Sequence, residues 1–108
     1  KKLDEARVEF ERTIELDPKN LAARNDLGLT LLRLGKTDQA AAQLEAVLAV
    51  DPNFVLAHVN LAGALAARGQ IDAATSHCRR ALELDPDNAL ARQQLDRLES
   101  GRTEPPAP

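Results

Sequence analysis

Three Asp-Pro pairs recur along this chain at a constant interval. They begin at Asp17, Asp51 and Asp85, so each pair lies 34 residues after the one before. When residues 21–54 are aligned with residues 55–88, nine positions are identical. A fixed period of this length is typical of an array of small structural units, each of which buries its apolar face only by stacking on its neighbours. This period constrains the fold more than any other feature of the sequence.

The identical positions of each unit have the spacing of α-helices. Leu27 and Leu31 are four residues apart and therefore lie on one helix face, and Leu61 and Leu65 repeat the pattern in the next unit. A glycine follows each pair where a helix would end, and the strong helix formers Ala and Leu dominate the segments between the turns. The sequence thus predicts an all-α chain with six helices, over residues 3–16, 21–34, 37–50, 55–68, 71–84 and 89–99.

Charge and composition argue against several classes of function. The 14 Lys and Arg residues are outnumbered by 17 Asp and Glu residues, which gives a net charge of −3, and no segment is a basic patch. We therefore expect no nucleic-acid partner, because proteins that bind nucleic acids carry clustered positive charge. No apolar run approaches the roughly 18–20 residues of a membrane span, so we expect no membrane insertion. A single cysteine, Cys78, leaves no internal disulfide.

The repeated motif resembles the tetratricopeptide repeat, a unit of 34 residues that contains two helices, A and B. The resemblance rests on a Leu followed by a small residue in helix A, an Ala early in helix B, and a closing Asp-Pro. The first two features occur twice, as Leu27-Gly28 with Ala40 and as Leu61-Ala62 with Ala74. The resemblance implies a right-handed superhelical array of antiparallel helix hairpins, which is an α-solenoid.

The phase of the repeat divides the chain into segments. We expect helix B of a truncated repeat in residues 1–20, complete repeats in 21–54 and 55–88, a C-terminal solvating helix in 89–100 and a disordered tail in 101–108. The last helix carries Asp96 and Glu99 where the complete repeats carry a small residue and Leu, so its outer face is expected to be polar. Because the chain contains no Met and starts in the turn before a helix B, we expect the array to continue before Lys1.

The half repeat at the N-terminus predicts self-association. Helix 3–16 carries Leu3, Val8, Phe10 and Ile14, and some of this surface would face a missing helix A. Exposed apolar patches tend to bind a partner. We therefore expect the chain to associate with a second copy through its first helix.

No group of residues has the spacing of a catalytic or metal site. His77 and Cys78 are adjacent and point about 100° apart on a helix, which prevents them from sharing a metal ion. Cys78 is expected to be a small core residue, and His58 and His77 are expected to be surface or interhelical polar residues. We therefore expect no catalytic residue, no metal, no cofactor and no enzymatic activity.

The resemblance assigns binding to a concave face formed by the A helices. Carried over position by position, this face would contain Asn25, Asp26, Leu29, Arg33, Leu56, Val59, Asn60, Gly63, Leu90, Gln93, Gln94 and Arg97. Side-chain amides such as that of Asn60 can hydrogen-bond the backbone of an extended peptide, and the leucines and Val59 offer an apolar surface.

One binding mode of the family does not fit this chain. Members that clamp an acidic C-terminus carry Lys, Asn, Asn, Lys and Arg at five positions of the concave face. The residues at those positions are here Asn25, Leu29, Asn60, Leu90 and Gln94. Because only Asn60 matches, we do not expect recognition of an acidic C-terminal tail.

These observations predict a protein–protein interaction scaffold that holds a peptide or helix in its concave groove. Two alternatives stay open at this point. The chain could be an architectural or substrate-positioning segment of a larger protein, such as one with a transferase domain, or it could be a self-association module.

Overall fold

The computed structural model describes residues 1–102, which form six α-helices. They are α1 (Lys2–Leu16), α2 (Leu21–Arg33), α3 (Thr37–Val50), α4 (Val55–Ala67), α5 (Ile71–Leu84) and α6 (Ala89–Arg102). The all-α helical repeat solenoid is thereby confirmed, and the bounds of the first five helices agree with the predicted ones to within one residue.

The last helix is longer than the sequence predicts. α6 ends at Arg102, so Gly101 and Arg102, which we assigned to a disordered tail, are helical. Gly101, a residue that often ends helices, is itself helical here. The rest of the predicted tail, residues 103–108, lies outside the described residues.

The Asp-Pro pairs form the turns between repeats, because each aspartate binds the backbone that follows it. The Oδ1 atoms of Asp17 and Asp51 accept hydrogen bonds from the N–H groups two residues later, at 3.3 and 3.0 Å. The carbonyl oxygens of Asp17, Asp51 and Asp85 accept a second bond from the N–H three residues later, at 3.1, 3.2 and 3.1 Å. The proline between them has no N–H to satisfy and a fixed φ, which suits this turn position.

The turn within each repeat ends helix A with a glycine in the left-handed region. Gly35 and Gly69 have φ angles of 79° and 80°, a conformation that costs other residues about 1–2 kcal/mol. The residue after each glycine donates its N–H to the carbonyl oxygen five positions earlier, at 2.8 Å in both turns. This is the hydrogen bond of a Schellman motif, and it satisfies a carbonyl that the helix end leaves without a partner.

The A helices, which are α2, α4 and α6, line the inner side of the array. Each helix packs on the next along the chain, and α2 also contacts α4, which in turn contacts α6. Within residues 1–102 the B helices α1, α3 and α5 make no such contacts with one another. Because the A helices lie closer together than the B helices, the array curves toward the A helices. The surface that the A helices form on the inner side of the array is therefore concave.

The core between helices A and B consists mainly of Leu and Ala. Gly28 of α2 packs directly on Leu44 of α3, since a Cβ atom at position 28 would lie only 2.6 Å from Leu44 Cγ. In the next repeat the equivalent residues are Ala62 and Cys78, both fully buried. A smaller residue on helix B thus accompanies a larger one on helix A, so that the change on one helix offsets part of the change on the other.

The two ends of the array place the residues that the sequence analysis named in different surroundings. On α1, Phe10 and Ile14 pack against the core of α2, whereas Val8 is 57% exposed. On α6, Asp96 is exposed as expected, whereas Glu99 forms an ion pair with Arg79 of α5 at 2.8 Å. Glu99 therefore faces back toward the array rather than outward, because an arginine lies within its reach.

Candidate functional site

A groove of about 260 Å³ opens on the concave face between α2, α4 and α6. It is lined by Leu29, Leu32, Arg33, Val59, Asn60, Gly63, Leu90, Gln93, Gln94 and Arg97. Nine of these are among the twelve residues that the sequence assigns to the concave face. The 34-residue period brings them together, because it repeats the same helix face on each A helix.

Three predicted residues lie outside the groove and one lining residue was not predicted. Asn25 is only 3% exposed, because its side chain points into the contact between α2 and α4. Asp26 and Leu56 are exposed but do not line the groove. Leu32 lines the groove although it also packs on the core, and its spacing of three residues from Leu29 is the signal that could have identified it.

Asn60 is held in place by Asn25 across neighbouring A helices. Asn60 Nδ2 donates a hydrogen bond to Asn25 Oδ1 at 3.1 Å. Because Asn25 is buried, this bond is shielded from water and fixes the orientation of the Asn60 amide. Within residues 1–102, Asn60 Oδ1 makes no hydrogen bond. The groove therefore presents one positioned acceptor on its middle helix.

Gln94 of α6 is bound to the backbone of α4. With its amide oriented by these partners, Nε2 donates to the carbonyl oxygen of Val59 at 3.1 Å and Oε1 accepts from the N–H of Gly63 at 3.0 Å. These two backbone groups are four residues apart, so the side chain bonds to the carbonyl and N–H groups that pair with each other in an α-helix. A Cβ at Gly63 would lie 3.1 Å from Leu32 Cδ2 and 3.3 Å from the Gln94 amide, two tight contacts that favour glycine at this position. Gln94 thus joins two helices and has little capacity left for a ligand.

The groove carries positive charge. Arg33 and Arg97 are exposed and line it from α2 and α6, and none of the lining residues is Asp or Glu. Within residues 1–102, neither arginine forms an ion pair or a side-chain hydrogen bond. Leu29 and Leu90 lie on the same two walls as these charges.

His58 and His77 form a polar link between α4 and α5, and neither lines the groove. His58 Nε2 lies 2.7 Å from the Pro52 carbonyl oxygen and therefore carries the proton that it donates. In the neutral ring His58 Nδ1 is then an acceptor, so His77 Nδ1, 2.9 Å away, is the donor. Burial and the neighbouring His58 lower the pKa of His77, while Glu45 acts in the opposite direction.

Cys78 has the environment of a core residue. Its side chain is fully buried, and its Sγ lies 3.4 Å from the side-chain amide of Gln94. Burial raises the pKa of the Cys78 thiol to about 11, so the thiol is protonated near neutral pH. Among residues 1–102 no three His, Cys, Asp or Glu side chains are grouped so that they could hold a metal ion. No helix in this part of the chain is long and apolar enough to cross a bilayer.

Repeat, turns, packing and groove together define an α-solenoid of helix hairpins. The sequence model of the tetratricopeptide repeat matches residues 1–38 and 25–89. The chain therefore belongs to the tetratricopeptide repeat family. Comparison with the curated proteins gives no match.

Solved structures share this fold over most of the chain. The first tetratricopeptide repeat domain of Spaghetti (RPAP3), bound to the HSP90 peptide SRMEEVD, has a TM-score of 0.89 at 23% identity, over 95% of this chain and 82% of that one. An O-GlcNAc transferase of Thermobaculum terrenum has a TM-score of 0.82 at 32% identity, over 85% of this chain and 18% of that one. YrrB, a repeat protein described as having an unusual peptide-binding site, has a TM-score of 0.76 at 27% identity, over 85% and 49%.

Proposed function

We propose that this chain is a non-catalytic interaction scaffold that holds an extended peptide segment in the groove of its A helices. The observation that carries the proposal is the Asn60 amide, which Asn25 holds by a 3.1 Å bond while its Oδ1 has no hydrogen bond within residues 1–102. A positioned amide of this kind can accept a hydrogen bond from a peptide N–H without reading its sequence.

The other lining residues support the same occupant. Leu29 and Leu90 lie on opposite walls of the groove, and Leu90 is 59% exposed, so an apolar side chain of the peptide would be buried between them. Gln93 is exposed beside Leu90 and offers a second amide. Asn25 and Gln94, which we also assigned to binding, would act by positioning Asn60 and α6 rather than by touching the peptide.

Two of the similar structures are of proteins that bind peptides. The Spaghetti (RPAP3) domain was solved with a bound peptide, and YrrB is described by its peptide-binding site. The five clamp positions carry mostly other residues here, so the peptide bound by this chain would differ from an acidic C-terminus in the way it is held.

The proposal is tested by titrating the ¹⁵N-labelled chain with a pool of capped octapeptides that carry one fixed Leu among degenerate positions. We expect amide shifts at the groove residues, and we expect Leu90→Asp to abolish them. Val50→Asp is the matched control, because Val50 is an apolar residue of similar high exposure that does not line the groove. Binding that survives Leu90→Asp, or shifts confined to another face, would overturn the proposal.

A second candidate function is to position substrates within a larger enzyme. The observation that favours it is the match to the O-GlcNAc transferase, at 32% identity over only 18% of that chain. In this role, peptides selected by the groove would be acceptors for a transferase that carries these repeats. Mass spectrometry would detect the transferred group on the selected peptides, whereas unmodified peptides after incubation with the intact protein would exclude the role.

A further inference from the structure

We propose that the groove selects peptides in which a carboxylate side chain stands next to an apolar one, and that Arg33 and Arg97 bind the carboxylate. This inference rests on the proposed function, since it names the chemistry of the peptide that the groove would hold.

The charge of the groove is opposite to that of the chain as a whole. The protein has a net charge of −3, yet the ten lining residues include two arginines and no acid. Four arginines outside the groove, Arg7, Arg68, Arg79 and Arg80, lie within 4.0 Å of an Asp or Glu oxygen, whereas among residues 1–102 Arg12 and Arg92 do not. Arg33 and Arg97 have no such partner in the described part of the chain. The groove thus holds two arginine charges that no acid of residues 1–102 pairs with.

A carboxylate fits between these two residues better than another group. α2 and α6 are the outer A helices of the groove, so a peptide that crosses α4 passes between Arg33 and Arg97. Two like charges that face one space repel each other, and a carboxylate removes that repulsion. The guanidinium group also offers paired N–H donors that match the two oxygens of a carboxylate.

The carboxylate belongs to a side chain rather than to a peptide C-terminus. The clamp positions of the family carry Leu29 and Leu90 here, which have no charge, and Asn25 and Gln94, whose amides are already bonded inside the protein. Arg33 lies one helical turn beyond Leu29. An apolar peptide side chain on the leucines would therefore place a neighbouring Glu or Asp near the guanidinium groups.

The inference is tested with three decapeptides that carry a Leu and differ at one adjacent position. The first is capped at both ends and has Glu, the second is capped and has Gln, and the third has Gln and a free C-terminal carboxylate. Affinities are measured by NMR titration of the whole chain at about 20 mM and about 300 mM salt. We expect the Glu peptide to bind at least about five-fold more tightly than the other two at low salt, with a smaller difference at high salt.

Variants test whether the preference for the Glu peptide depends on Arg33 and Arg97. The double variant Arg33→Gln with Arg97→Gln should bind the Glu and Gln peptides equally, whereas Arg92→Gln should keep the preference. Arg92 is a matched control because it is an exposed arginine of α6 that does not line the groove. Circular dichroism of each variant checks that the helices are intact.

The outcomes separate this inference from the proposed function. Equal binding of the Glu and Gln peptides in the groove would overturn the inference and leave the proposed function standing. A preference for Glu that persists in the double variant, or a preference for the free C-terminus, would also overturn it. If no peptide shifts the groove residues, the proposed function falls and the inference falls with it.

Discussion

The polar link between helices A and B is conserved in position from one repeat to the next while its residues change. In the first complete repeat, Arg24 donates to Gln43 at 2.9 Å and also approaches the Pro18 carbonyl oxygen at 3.4 Å. In the second, His58 takes the place of Arg24, His77 that of Gln43, and Pro52 that of Pro18. Arg24 makes both contacts as a donor, whereas His58 donates to Pro52 and accepts from His77. His77 thereby brings an ionisable ring to a position where the first repeat has a neutral amide.

The stability of the chain should therefore depend on pH through His77. Its folded pKa lies below the ordinary value of 6.5, so the unfolded chain binds the proton more readily than the folded one. This contribution to stability is present above pH 6.5 and is lost as the pH falls through the folded pKa. We expect the melting temperature to fall between pH 7.5 and pH 5, and to fall less in His77→Gln, which copies the residue of the preceding repeat. Equal pH dependence in both proteins would contradict this assignment.

At the scale of helices, the distance between A and B is set by pairs of residues whose sizes are balanced. Gly28 accepts the bulk of Leu44 in the first repeat, and Ala62 accompanies the smaller Cys78 in the second. We infer that neither residue of such a pair can be replaced by a larger one unless the other is replaced by a smaller one. Leu44 is fully buried, so it has no space into which it could move.

We expect Gly28→Ala to lower the free energy of unfolding by about 1–3 kcal/mol, because the added Cβ would lie 2.6 Å from Leu44 Cγ. Urea denaturation measures this loss. Gly101→Ala is the control, since no atom lies within 4 Å of a Cβ built there. The double variant with Leu44→Cys reproduces the pair of the next repeat and should be more stable than the sum of the two single effects predicts. Simple additivity would refute the size balance.

At the scale of the whole molecule, the array has a groove on its inner face and a first helix that is packed on one side only. α1 contacts α2, which covers Phe10 and Ile14 but leaves Val8 exposed. The equivalent residues of α3 and α5 are Ala42 and Ser76, which are also exposed but smaller or polar. Self-association through α1 stays a prediction, and Val8 is the residue on which it now depends most.

Sedimentation velocity over a range of protein concentrations tests this prediction. We expect the mass to rise with concentration and the rise to disappear in Val8→Glu. Val50→Glu, a change at another exposed valine, on α3, should leave association intact. A monomer at every concentration would rule out self-association, and an effect of Val50→Glu alone would move the interface to another face.

The fold was predictable because its determinants are local. The pair Leu27 and Leu31, the glycine after it and the Asp-Pro turn act within a few residues of one another, so their spacing specifies a helix, its end and the next turn without knowledge of distant contacts. The extent of α6 was missed because Gly101 is a residue that often ends a helix, whereas in this chain the helix includes it.

The candidate site was predictable in part. The resemblance to the tetratricopeptide repeat assigned nine of the ten lining residues to the concave face, and the period repeats that face on each A helix. It could not separate Asn60 from Asn25 and Gln94, because all three are amides on A helices. Whether an amide is already hydrogen-bonded within the protein depends on which donors and acceptors of the neighbouring helix lie within hydrogen-bonding distance.

By itself, then, the 34-residue period determined that the chain is an array of helix hairpins and that its A helices share a face. Only the tertiary structure decided which groups on that face remain available to a ligand. Asn25 and Gln94 bond within the protein, Asn60 keeps an acceptor, and Arg33 and Arg97 line one groove that no acid lines. The physical reason is one of range: helix formation is decided by neighbours along the chain, whereas a hydrogen bond between helices exists or fails over a few tenths of an ångström.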